Sequence, residues 1–72
     1  MIEVRIRHEE APTAVRLFDW DPTDLSSVIP TLCGWGVRDS EGNQYTSRDH
    51  FTSEIVVEDG LAYLEVVFGY AV

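Results

Sequence analysis

An α+β fold is predicted, with one α-helix packed on a mostly antiparallel four- to five-stranded sheet in the order β-hairpin, helix, short strands, β-hairpin. Three features carry that expectation. Ile2, Val4 and Ile6 alternate with Glu3, Arg5 and Arg7, the period of two of a strand with one buried and one wet face. Leu25, Val28, Ile29 and Leu32 recur at the i, i+3, i+4, i+7 spacing of a helix with one apolar stripe. Asp59-Gly60 separates two strand-like runs, and both residues tolerate the positive φ angles of a tight hairpin turn.

Taken in order, the alternating start is the first strand. His8 to Thr13 is a polar segment broken by Pro12, after which Ala14 to Trp20, rich in β-branched and aromatic residues, reads as its hairpin partner. Asp21-Pro22-Thr23-Asp24 marks a helix start. Asp21 suits the cap, Pro22 the first helical position, and Asp24 the positive end of the helix dipole. Pro30 falls inside the apolar stripe and crowds the carbonyl of Ser26, so a stop or kink is expected near Ile29. Gly34 and Gly36 are read as turn residues. A short strand over Trp35 to Arg38, a turn over Asp39 to Asn43 and a return strand over Gln44 to Ser47 follow. Glu54 to Glu58 and Leu61 to Tyr70 form the final hairpin. No linker or repeat interrupts residues 1–72, which read as a single domain.

This element order resembles that of ubiquitin-like β-grasp folds. Conjugating and sulfur-carrying members of that group end in a Gly-Gly tail, whereas this chain ends Phe68-Gly69-Tyr70-Ala71-Val72, so carrier chemistry is not expected.

Size and charge narrow the function. A chain of 72 residues buries about 60% of its unfolded surface, which leaves little room for a deep pocket. Thirteen acidic residues against five arginines and no lysine give a formal charge of −8. Such a charge repels polyphosphates and anionic membranes, so neither nucleic acid nor membrane is an expected direct partner, and a protein with a basic surface is. The charge is uneven. Residues 1–16 balance, and residues 17–72 carry the whole excess. A single cysteine excludes an internal disulfide and, with two histidines, falls short of an ordinary structural zinc site. No export signal and no apolar run near the ~20 residues of a membrane helix are seen, so a cytoplasmic location is expected. No cofactor or metal is expected.

Few residues are candidates for chemistry. Asp19, Asp21 and Asp24 have a spacing that could gather oxygen ligands around calcium, but the stretch lacks a mid-loop glycine and runs into a helix, so the cap reading is preferred. Cys33 closes the apolar stripe and is expected to be buried. His8 and His50 lie in polar segments and are expected to face solvent. Gly34-Trp35-Gly36 lacks the further glycines and the lysine of a phosphate loop, and Trp35 between them either plugs the core or serves as a binding anchor.

The last strand is unusual. Ala62, Leu64, Val66, Phe68 and Tyr70 occupy one face, and Leu61, Tyr63 and Val67 the other, interrupted by Glu65. One helix covers one face. The second calls for a loop, a partner, a target or a barrel-like curl, and Phe18 and Trp20 could extend the uncovered patch. These features favour a small non-enzymatic protein-binding module, an inhibitor or adaptor that docks an acidic and partly apolar face onto a basic, nucleic-acid-handling protein. Its expected contact residues are Asp19, Asp21, Asp24, Asp39, Glu41, Glu54, Glu58 and Asp59, with Trp20, Trp35 and Tyr63 as anchors. The alternatives are a self-assembling subunit that pairs through its apolar sheet face or edge and, more remotely, a small cysteine-dependent enzyme.

Overall fold

The computed structural model describes residues 1–46 and 50–69. In these the fold is α+β. Strands β1 (Ile2–His8) and β2 (Ala11–Trp20) form a hairpin. A 3-10 helix (Pro22–Ser27) and a short α-helix, α1 (Val28–Leu32), follow. Next come β3 (Gly36–Arg38), β4 (Gln44–Thr46), β5 (His50–Glu58) and β6 (Leu61–Gly69). Ser47 and Tyr70, expected at the ends of two strands, lie outside the described residues.

The main sheet has the order β2-β1-β6-β5. Both hairpins are antiparallel, and they join through parallel pairing of β1 with β6, from Glu3↔Tyr63 to His8↔Phe68. Parallel strands cannot be joined by a tight turn, and here every other element forms the connection. The expected alternation holds in β1, where Val4 and Ile6 are fully buried, and it extends one step further, to His8. That corrects the expectation of a solvent-facing His8. The residue follows the inward parity of its strand, its Nδ1 accepts the Glu10 N–H at 3.1 Å, and its ring lies 5.5 Å from that of Tyr45.

Strand β2 starts three residues earlier than expected and includes Pro12. A proline is tolerated there because β2 is an edge strand with no ladder bond to lose on its outer side. Strand β5 likewise starts at His50, because pairing with β6 continues to His50↔Gly69. The final turn is as expected, with φ 53° at Asp59 and 78° at Gly60.

The helical segment departs from expectation in where it breaks. Asp21 caps it, accepting the Thr23 N–H, but the irregularity is at Asp24 (φ −126°, ψ 36°) and the first stretch is 3-10. Pro30 sits within the five-residue α1. It falls in the first turn, where N–H groups have no intrahelical partner, so its missing donor removes no bond. The apolar stripe does its expected work: Val28 and Leu32 are buried and Leu25 and Ile29 pack against the same core.

The strands β3 and β4 do not join the main sheet. They form a separate two-stranded ribbon, which leaves a main sheet of four strands, within the expected four to five. This pair places Val37 and Tyr45 against the core. Gly34, with φ 85°, is a turn residue as expected. Gly36 is not, since it opens β3, and a Cβ there would collide with the Tyr45 carbonyl oxygen. The core thus lies between one face of the sheet and a layer made of helix and ribbon. No helix among the described residues is long and apolar enough to cross a membrane.

The burial pattern separates two isoleucines of the same sheet. Ile6→Ala, at a fully buried site, is expected to lower the unfolding free energy by about 3 kcal/mol, whereas Ile55→Ala, at a position 51% exposed, should change it by less than about 1 kcal/mol. Urea unfolding of both variants checks this, and equal losses would contradict the assigned core.

Candidate functional site

The sheet has two faces, and its register decides which side chains share each. Glu3 pairs with Asp19 and Tyr63, and Arg5 with Leu17 and Glu65. Glu65 pairs with Glu54, Tyr63 with Val56, and Leu61 with Glu58. Residues directly opposite each other point to the same side, so all of these belong to the face turned away from helix and ribbon.

Along β6 this open face carries the expected Leu61, Tyr63 and Val67, interrupted by Glu65. Arginines from β1 roof part of it. The Arg5 guanidinium carbon lies 3.7 Å from the centroid of the Tyr63 ring, and its Nε donates to Glu3 Oε1 at 2.5 Å. Arg7 donates to Glu65 across the β1–β6 junction. Tyr63 is buried as a result, because an arginine can lay its stem over an apolar surface and keep its charge wet. The Glu3 hydrogen bond outweighs desolvation and raises the Arg5 pKa above its ordinary value, so the residue stays cationic. Around this roof lie two adjoining open depressions. One, of about 440 Å³, is lined by Glu3, Arg5, Arg7, Val15, Leu17, Tyr63 and Glu65. The other, of about 330 Å³, adds Asp19, Glu58, Asp59, Leu61 and Ala62 to Glu3, Arg5 and Tyr63, beside Met1. Val15 and Leu17 are large and exposed.

The residues expected from the sequence fall into two groups. Asp19, Glu54, Glu58 and Tyr63 share the open face, and Asp59 stands at its end in the hairpin turn. The rest are elsewhere. Asp21 Oδ1 accepts from both the N–H and the hydroxyl of Thr23, and Asp24 Oδ2 accepts the Ser27 hydroxyl. Trp20 donates from Nε1 to the Asp24 carbonyl at 3.1 Å and packs against the core. Trp35 meets the edge of Phe18 at 5.0 Å, with Arg16 4.7 Å from its own ring centroid. Asp39 holds the β3–β4 turn together: its carboxylate accepts the Glu41 and Asn43 N–H groups, the Asn43 amide and the Tyr45 hydroxyl. Glu41 is exposed in the same turn.

Sequence reasoning misses Glu3, Arg5, Arg7, Val15 and Leu17 as site residues. The period of two places the β1 charges on a wet face, but nothing local says that β6 lies alongside. The remaining chemistry is dispersed. Cys33 is exposed, which corrects its expected burial: it follows α1 with a non-helical ψ of 126°, so the apolar stripe ends at Leu32. His50 is exposed as expected and His8 is enclosed. No group of three or more His, Cys, Asp or Glu among the described residues could hold a metal ion. No family model matches the chain, and neither a curated protein nor a solved structure matches it.

For Asp39 desolvation opposes ionisation, but the hydrogen bonds from Asn43, Tyr45 and Glu41 prevail and lower its pKa. Its stabilising contribution is therefore complete above the ordinary carboxylate value of about 3.9 and is lost as pH falls through the lower folded value. Asp39→Ala should melt at a lower temperature than wild type at neutral pH, and the gap should narrow as pH falls from about 5 towards about 2. Thermal melts across that range check it, and a gap independent of pH would show that the carboxylate charge is immaterial to the turn.

Proposed function

We propose that this chain is a small non-enzymatic protein-binding module, acting as an inhibitor or adaptor, that docks the open face of its sheet onto a basic surface of another protein. The observation that supports the reading is one sheet face, covered by no second layer among the described residues, on which exposed Val15 and Leu17 lie beside Glu3, while Asp19, Glu58 and Asp59 line the adjoining depression with exposed Leu61, and Glu54 stands further along β5. Apolar residues supply contact area, and the surrounding carboxylates select a cationic partner and steer its approach. A site of this kind also suits a protein that handles nucleic acid, because spaced carboxylates on a shallow face occupy a surface built for phosphates. In a chain of formal charge −8 the long-range field reinforces the local one.

Two finer features belong to the same reading. We assign the fold a β-grasp-like order, supported by a central parallel pair flanked by two hairpins with the helix between them in sequence. We assign it to the cytoplasm, supported by a sequence with a single cysteine, which is exposed.

The test is capture of proteins from lysate on the immobilised chain at about 0.05 M and about 0.5 M salt, beside the variant Asp19→Asn, Glu58→Gln, Asp59→Asn. The Asp59→Asn change keeps a side chain that tolerates positive φ in the hairpin turn. Basic proteins should be retained at low salt, weakened about tenfold or more at high salt, and poorly held by the variant. Retention of the same proteins by both chains at both salt levels would sink the proposal.

A further inference from the structure

We propose that the outer edge of β5 receives an additional strand: an extended segment of the partner protein in which Lys or Arg residues alternate with apolar ones. This rests on the basic partner of the preceding section and specifies its shape. Strand β5 is nine residues long and, among the described residues, pairs with β6 alone, so its other side presents a row of backbone donors and acceptors spanning about 30 Å. An edge of this kind is a template for one more strand.

The side chains of β5 specify what that strand must carry. On the helix side, Phe51 and Ile55 lie opposite Phe68 and Leu64 of the core, yet the covering layer does not reach them. Phe51 is 37%, Ile55 51% and Val57 70% exposed. On the open side stand Glu54 and Glu58, both exposed, opposite Glu65 and Leu61. An added strand with period two would therefore set apolar side chains against Ile55 and Val57 and basic ones against Glu54 and Glu58. Arg5 and Arg7 make their ion pairs with Glu3 and Glu65, and of the two β5 carboxylates only Glu58 is among the charges that act on Arg5.

The two edges of the sheet differ in how they are protected. Strand β2 contains Pro12, its pairing with β1 shifts register between Ile6 and His8, and Arg16 reaches from it to the Gly36 carbonyl. Such devices discourage strand addition. Strand β5 contains no proline, and its pairing with β6 runs without a shift from His50↔Gly69 to Glu58↔Leu61. A second copy of the chain fits this edge poorly. It brings another charge of −8, and the antiparallel register that sets His50 against Glu58 also sets Glu54 against its own equivalent.

The probe is a capped nine-residue peptide alternating lysine with valine. It is titrated into the full chain by fluorescence anisotropy, with amide hydrogen exchange followed by NMR. Two controls are a block-ordered peptide of the same composition and the alternating peptide methylated at every second backbone nitrogen. The alternating peptide should bind, slow exchange of β5 amides about tenfold or more, and weaken about tenfold or more when methylated or block-ordered. Glu54→Lys should lose that peptide and gain one alternating glutamate with valine, a reversal that a merely unfolded variant would not show. Equal binding of all three lysine peptides would overturn strand addition. So would a dimeric mass by light scattering that the peptide does not dissociate. Absence of peptide binding, while lysate proteins still distinguish wild type from the Asp19, Glu58, Asp59 variant, would overturn this inference and leave the open-face proposal standing.

Discussion

The parallel pairing of β1 with β6 is the constraint on which the rest of this molecule depends. It aligns Val4, Ile6 and His8 with Leu64, Val66 and Phe68, and these six residues are the buried floor on which helix and ribbon rest. The same register aligns Arg5 with Glu65 and Glu3 with Tyr63 on the reverse side. Because side chains alternate, a slip of one residue would exchange the two sets and bury charge. Neither hairpin alone provides a floor broad enough for the helix stripe, since two strands make a marginal structure in water.

The two sides of the sheet meet the demand for burial by different means. On one, Val28, Leu32 and Val37 come from the covering layer and exclude water. On the other, the described residues supply no layer, and the long side chains of Arg5 and Arg7 shield Tyr63 and meet Glu65 while leaving charge in solvent. That economy suits a chain too short to build a third layer. It also leaves Val15 and Leu17 uncovered, so the open side combines apolar area with a carboxylate rim.

Much of this is legible in the sequence where the physics is local. The inward parity of Val4 and Ile6, the Asp21 cap, the helix stripe and the Asp59-Gly60 turn all rest on residues within a few positions of one another. What fails depends on distant neighbours. His8 reads as exposed because its sequence surroundings are polar, yet strand parity and the β6 contact enclose it. Pro30 reads as a breaker when the helix is taken as one piece, and the break at Asp24 moves the proline into a first turn. The binding residues divide in the same way. Asp19, Glu54 and Glu58 come to one face only through pairings that span most of the chain, whereas Asp21 and Asp39 turn inward to satisfy turn amides a few residues away.

Strands that meet across 58 positions of sequence, as Arg7 and Glu65 do, impose an order of events on biosynthesis. Local hairpins and helical turns can flicker into being as the polypeptide emerges from the ribosome, but the enclosing floor awaits translation through Phe68. Until then β1 presents the flank meant for β6 to any extended stretch nearby, a vulnerable interval typical of topologies dominated by remote pairing. The acidic excess downstream of residue 16 gives nascent copies a mutual repulsion during that interval, so the charge that recommends a basic partner to the finished protein also keeps unfinished ones apart.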